Sequence, residues 1–354
     1  MRGDAFARAW AVLAVAVAWT LAQPVSGQDT SAAEARELPP IFASETPLEF
    51  SIRTNYRALH RSRTRASALH PAVITYNDGG TTRELPLQVR SRGHYRLQNC
   101  EMPPLRLQFN RQAARDTPFA GLQRGRLVMH CRNTAEHDDY ILREYHIYRM
   151  LNTLTPFSHR ARLARVTYVD SASGRSLATR YAFLLEDDAA LARRNGGRIL
   201  EQEGARSGDL DPFHDALVGV FQFMVGNVDW SVAGLHNVLL VSTDSAVYAV
   251  AYDFDFTGAV NTRYAVPDAR LPIRSVRERL MRGYCARPEE FDRVFALFNE
   301  KRDDLYSLYR DDIGQLLSPA TVRQTLAYYD EFYRIINDPR AARDRIVRAC
   351  RPAQ

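Results

Sequence analysis

Lysine is almost missing from this chain: Lys301 is the only one in 354 residues, and arginine supplies nearly all of the positive charge. Codon usage in a GC-rich genome produces such a bias without any demand for guanidinium chemistry. It still excludes any site built on a lysine before residue 301. Cysteine is scarce as well. Only Cys100, Cys131, Cys285 and Cys350 occur, none in a Cys-x-x-Cys pair, which excludes a zinc ribbon and a thioredoxin-type redox motif. No Gly-x-Ser-x-Gly elbow is present, so a serine-hydrolase reading has no support. There is no internal repeat and, past the first 40 residues, no low-complexity tract. After Ala22 no apolar stretch approaches the roughly 20 residues that a membrane span needs.

The apolar run that does exist stands at the N-terminus. Arg2 and Arg8 precede Trp10 to Ala22, and small residues Val25 and Gly27 follow at cleavage spacing. This is the pattern of a secretory signal, expected over residues 1–27, with an uncleaved anchor as the alternative. The polar, small-residue tract 28–40 reads as a linker. The mature chain is thus expected in the periplasm or secreted, without a transmembrane anchor after cleavage. An even cysteine count in an oxidising compartment suggests two disulfides, for which three connectivities exist.

What remains is ordinary globular composition, with 45% hydrophobic residues. The formal charge of +6 becomes +5 once the two Arg and one Asp of the leader are removed. A mildly basic chain favours anionic partners without singling out nucleic acid, and none is expected. The arginine run Arg57–Arg65 reads as a solvated face. His130, His137 and His146 fit no zinc spacing and read as structural or surface residues.

From Leu48 to Cys131 short alternating runs read as strands: Leu48–Tyr56, Ala72–Tyr76, Leu85–Arg90, Leu105–Phe109 and Arg126–Cys131, punctuated by turns such as Asn77-Asp78-Gly79-Gly80. Asp138–Leu154 changes to helical spacing. Ala161–Val169 and Thr179–Leu185 return to strand. The second half is helical in character. Pro212–Val225 is a helix capped by Asp209 or Asp211, and Val238–Val241 with Ala246–Ala251 form a hairpin. Helices are expected over Val276–Arg282, Pro288–Ile313, Thr321–Ile336 and Ala341–Arg348. The expected fold is α+β and bilobal, with a β-rich lobe 41–186, a helical lobe 187–354, and a ligand cleft at the join. Cys100 and Cys131 both fall in the first lobe, Cys285 and Cys350 in the second, so bridges Cys100–Cys131 and Cys285–Cys350 are expected.

Chemistry-bearing residues concentrate between Gly226-Asn227-Val228-Asp229-Trp230 and Tyr252-Asp253-Phe254-Asp255-Phe256, with His236-Asn237 between them. In an extended segment Asp253 and Asp255 would project together. Neighbouring carboxylates need a cation or donors nearby. Acid and amide oxygens with few His and no Cys suit a hard ion such as magnesium. Each acid alone would read as a turn or cap residue; the set together points to function.

These residues resemble the core of the spore-coat CotH-type kinases, an atypical branch of the protein-kinase-like fold. The N-terminal half follows in order. Val89-Arg90-Ser91-Arg92-Gly93-His94-Tyr95-Arg96 is similar to the family's Arg-Gly loop, and Pro104–Phe109 to its next strand. Leu142-Arg143-Glu144-Tyr145 is similar to its Arg-led helix, and Arg180–Glu186 to the strand entering the hinge. The likeness covers about residues 85 to 260. It implies a protein-kinase-like fold and a phosphotransferase using Mg2+ (or Mn2+) and ATP or another nucleotide, with a protein or small molecule as acceptor. By position, Asp229 would orient or deprotonate the acceptor hydroxyl, and Asn237, Asp253 and Asp255 would hold the metal. Arg92 and Gly93 would approach phosphates, with Arg106 in place of the family's strand lysine. Glu144 would pair with a basic residue on the strand, and Glu186 would mark the nucleotide side of the hinge. Two departures weigh against turnover: the missing lysine and the scarcity of ATP outside the cytosol. The alternatives are a catalytically inactive binding or scaffold module of the cell envelope and a metal-dependent phosphohydrolase.

Overall fold

Alternation in the first half puts one face of each strand inside, while the stretches around Val128, Leu163 and Phe183 are buried on both faces. Phe50, Ile52, Ile74, Leu85, Leu87, Val89, Leu105, Leu107, Leu127, Val166, Tyr168 and Leu184 are all buried in one apolar cluster. A computed structural model describes residues 38–64, 68–93 and 95–352. The signal expectation for residues 1–27 and nearly all of the linker lie outside the described residues, as does His94.

Seven strands make up this half: β1 (Leu48–Thr54), β2 (His70–Asp78), β3 (Thr81–Ser91), β4 (Leu105–Phe109), β5 (Arg124–Met129), β6 (Ala161–Asp170) and β7 (Ser176–Leu185). They close on themselves in the order β1-β2-β3-β4-β5-β7-β6. All neighbours are antiparallel except the closing pair, where β1 runs parallel to β6 from Leu48↔Ala164 to Thr54↔Asp170. Short helices α1 (Tyr56–Arg61), α2 (Tyr95–Asn99) and α3 (Arg111–Ala114) sit in the connections. Phe119 is completely buried in the barrel interior, against Phe50, Tyr76 and Phe109.

The bilobal protein-kinase-like expectation is therefore overturned. The strands form a closed seven-stranded mixed barrel rather than the open sheet of a small kinase lobe. The physical cause is the β1–β6 pairing, which satisfies both edges that an open sheet would leave bare. The barrel is also not set off by a hinge. Val128, Leu163, Phe183 and Leu185 point outward from β5, β6 and β7 into a second core shared with the helices. The long helix α4 (Ala135–Leu154) fills that seam, with Tyr145 and Tyr148 against Phe183.

Beyond the barrel come α5 (Asp188–Arg194), β8 (Arg198–Leu200), α6 (Pro212–Val225), β9 (Val238–Ser242) and β10 (Val247–Ala251). Then follow α7 (Pro288–Glu300), α8 (Arg302–Ser307), α9 (Pro319–Ile336) and α10 (Pro339–Ala342). Of the two candidate caps for α6, Asp211 is the one used, accepting from the His214 N–H at 2.8 Å. Gly226 ends that helix in the left-handed region, at φ 69°. Strands β8–β10 form a separate small antiparallel sheet.

Two helix expectations fail. Val276–Arg282 is not helical: the chain makes a turn closed by the Glu278 N–H to the Ser275 carbonyl at 3.0 Å, with Arg277 and Arg279 both over the ring of Tyr328, at 4.1 and 3.6 Å. Pro288–Ile313 breaks after Glu300 into α7 and α8, with Lys301 between them. Disulfides join Cys100 to Cys131 and Cys285 to Cys350, and no cysteine is left free. Among the described residues no helix is long and apolar enough to cross a membrane.

Candidate functional site

The site is assembled at the open end of the β9–β10 hairpin. Pairing ends at Val238↔Ala251, and one further bond, Tyr252 N–H to the Asn237 carbonyl at 3.0 Å, sets Asn237 beside the Tyr252-Asp253 step. Gly226 turns the chain out of α6, and Asn227 Oδ1 then accepts from the Asp229 N–H at 3.0 Å. A tight loop closed by Ser231 and His236, through two backbone bonds, brings His236 and Asn237 back to Asp229.

Asp229 is held from two sides. Asn237 Nδ2 donates to its backbone oxygen at 2.7 Å and to Oδ2 at 3.2 Å, while His236 Nε2 lies 2.8 Å from Oδ1. This hydrogen bond raises the pKa of His236 above its ordinary value. Asp229 itself stays accessible, its side chain 45% exposed. Because Asn237 commits its amide nitrogen to Asp229, its Oδ1 is the atom free to meet a ligand.

Asp253 and Asp255 do not alternate along a strand as expected. Asp253 adopts a left-handed backbone at φ 64° and Asp255 lies in a turn. The Asp253 N–H donates to Tyr148 Oη at 2.9 Å, which ties the turn to α4. Phe254 is fully buried against Tyr148 and Phe221, so the turn is anchored by its apolar residue. Asp255 is buried too, and its Oδ2 accepts from Tyr264 Oη at 3.0 Å.

Behind the turn lies a buried acid pair sharing one arginine. Arg96 of α2 stands 3.9 Å from Glu144 Oε2 and 4.0 Å from Asp255 Oδ2, and donates to the Met129 carbonyl. The strand base expected for Glu144 is thus replaced by Arg96 on a helix. Burial, then the Asp255 charge, pushes Glu144 well above the usual carboxylate range. Burial, then the Asp253 charge, pushes Asp255 up to about 7. Glu144 Oε1 is buried without a hydrogen-bond partner. Arg96 is shared between the two carboxylates, and their raised values come from burial and from the charge of neighbouring carboxylates.

A row of arginines lies along one side of the barrel sheet. Arg90, Arg106 and Arg126 are cross-strand partners in register on β3, β4 and β5. Arg92 follows β3, and Gly93 takes φ 97°, which glycine tolerates. Burial, then the charge of Arg126, lowers Arg92 to about 10, with Asp253 opposing. Arg126 is itself committed: its guanidinium lies 2.6 Å from Asp188 Oδ1, 2.5 Å from His159 Nε2, and over the Tyr252 ring.

The expected residues thus separate into two groups. Asp229, Asn237, Asp253 and Asp255 come together on the hairpin and its turn, with Arg92 and Glu144 beside them, while Arg106 lies in the strand row with Arg90 and Arg126. Glu186 is used elsewhere. Its carboxylate is taken by Arg194 at 2.9 Å through both oxygens and by the Arg160 N–H at 3.1 Å. Sequence reasoning missed Arg96, Arg126, Tyr148 and Tyr264. For Arg126 a signal existed, since it sits in strand register with Arg106.

Among the described residues no group of three or more His, Cys, Asp or Glu could hold a metal unaided. Asp253 and Asn237 Oδ1 are the candidate oxygen donors, with Asp255 held by Tyr264 and Arg96. Magnesium usually keeps several waters and takes one or two carboxylates plus substrate phosphates. In comparison with known proteins, no family model and no curated protein matches the chain. The CotH-type likeness rests on the residues quoted above.

Proposed function

We propose that the chain is an exported phosphotransferase that moves a phosphoryl group from a nucleotide to a hydroxyl acceptor with magnesium. The observation that carries this reading is the hairpin end, where Asp229 is fixed by Asn237 and His236, and the Asn237 carbonyl accepts from Tyr252, the residue before Asp253. Asp253 and Asn237 Oδ1 would hold the ion, and Asp255 would support Asp253. Bound magnesium would neutralise phosphate charge during transfer. Arg92 and Arg106 would take the phosphate oxygens, for which guanidinium is well shaped. Asp229, accessible and oriented, would receive the acceptor hydroxyl and its proton. The two disulfides and the signal-like N-terminus support action in the periplasm or after secretion.

One observation favours a second reading, a binding or scaffold module without turnover. Arg126, the best-buried cation of the wall, is already neutralised by Asp188. Nucleotide binding and transfer by the purified protein separate the two. A nucleotide at about 100 times its dissociation constant should stabilise the fold by about 2.7 kcal/mol, and only with magnesium. Asp253→Asn should abolish that shift, and Asp229→Asn should keep it while losing transfer. Both variants behaving like the parent in binding and transfer would sink the site assignment.

A further inference from the structure

A cavity of about 540 Å³ lies between α1 and the chain that enters β4. Leu59, Met102, Pro103, Leu105 and Leu177 give it apolar walls, with Leu59 and Leu105 only 2% and 1% exposed. Its volume falls in the range of small-ligand pockets, about 300–1,000 Å³. Its rim is basic. Arg57, His60 and Arg61 recur at i, i+3 and i+4, hence on one face of α1. Neither Arg57 nor Arg61 has a carboxylate partner among the described residues. The one acid at the rim, Glu101, has its Oε2 engaged by the Asn133 N–H at 3.2 Å. An apolar cavity ending at two unpaired guanidinium groups is complementary to a molecule with an aliphatic chain and an anionic head.

We infer that this cavity binds a single-chain aliphatic carboxylate, its chain against Leu59, Met102, Leu105 and Leu177 and its head on Arg57 and Arg61. Guanidinium accepts a carboxylate with two parallel hydrogen bonds, and the chain gains from leaving water in proportion to the area covered. None of these residues belongs to the acidic turn, so the inference stands apart from phosphoryl transfer.

Titration calorimetry of the purified protein with sodium decanoate and with decanol tests it. Decanoate should bind at one site, about tenfold tighter than decanol, the margin expected of a charge-assisted pair. Arg57→Ala/Arg61→Ala changes exposed residues only and should erase the preference while leaving decanol unchanged. Met102→Trp should weaken both ligands by filling the cavity. Equal binding of the two ligands, no binding, or a preference that survives the double variant overturns the inference. So does sedimentation with phosphatidylglycerol vesicles in the absence of decanoate binding, which would assign the arginines to a membrane surface.

Discussion

Asn237 anchors Asp229: its side-chain nitrogen reaches both the backbone oxygen and Oδ2 of that residue, at 2.7 and 3.2 Å. Replacing Asn237 by Asp exchanges two donated hydrogen bonds for two carboxylates in contact. The variant should unfold at lower temperature, with a loss of about 1–2 kcal/mol. Magnesium should recover more stability in this variant than in the parent. Calorimetric melts with and without the ion decide the matter, and an unchanged midpoint would mean Asn237 does not hold Asp229.

Gly226 is the point from which the Asp229 loop departs. A Cβ placed there would lie 2.1 Å from Tyr328 Oη, at a backbone φ of 69°. Tyr328 cannot easily retreat, being clamped by Arg277 and Arg279. Gly226→Ala should therefore cost about 2–4 kcal/mol. Adding Tyr328→Phe removes the overlapping oxygen and should restore part of the loss. Strict additivity of the two changes in urea unfolding would refute the overlap.

The disulfides should have separable effects. Cys100 directly follows α2, and its N–H donates to the Arg96 carbonyl, so the bridge to Cys131 pins the helix that carries Arg96. Cys285–Cys350 ties the last segment beside α7. For separations of 31 and 65 residues, each bridge should contribute roughly 3–5 kcal/mol in the chain-entropy model. Cys100→Ser/Cys131→Ser should speed hydrogen exchange around α2 and β5. Cys285→Ser/Cys350→Ser should do so only near the C-terminus. Exchange that rises everywhere in both variants would show that the bridges act globally.

Asp215 on α6 gives a pH signature. Burial raises its carboxyl from 3.8 to about 7. Between those values the folded chain keeps a proton that the unfolded chain has lost. Stability from this group is therefore greatest below about pH 4, falls as pH rises to about 7, and is level above it. Asp215→Asn removes the slope. Relative to the parent, the variant should gain as much as about 4 kcal/mol between pH 4 and pH 8. A constant difference in denaturant unfolding across that range would contradict the assignment.

Local elements were well legible in the sequence. β4 at Leu105–Phe109 and α6 at Pro212–Val225 have the bounds that alternation and capping predict, and both disulfides are the expected ones. Long-range relations were not. No local pattern announces that β1 runs beside β6, so the open, two-lobed plan looked sufficient. Arg96 stood within the quoted Arg-Gly loop, but its partners Glu144 and Asp255 are chosen by tertiary packing. Asp-Phe-Asp-Phe reads equally as strand or turn. The left-handed Asp253 that decides between them is an exception which aspartate tolerates better than most residues.

The closing pair of the barrel also sets an order of events. Leu48 finds its partner only at Ala164, after β2 to β5 and the long helix have been made. A polypeptide appearing from its N-terminus must carry β1 with one bare edge until β6 arrives. Contacts this distant are entropically late and slow to form. The first strand built thus waits across the longest stretch of chain for its second partner, and until then its exposed edge is where two unfinished chains would meet.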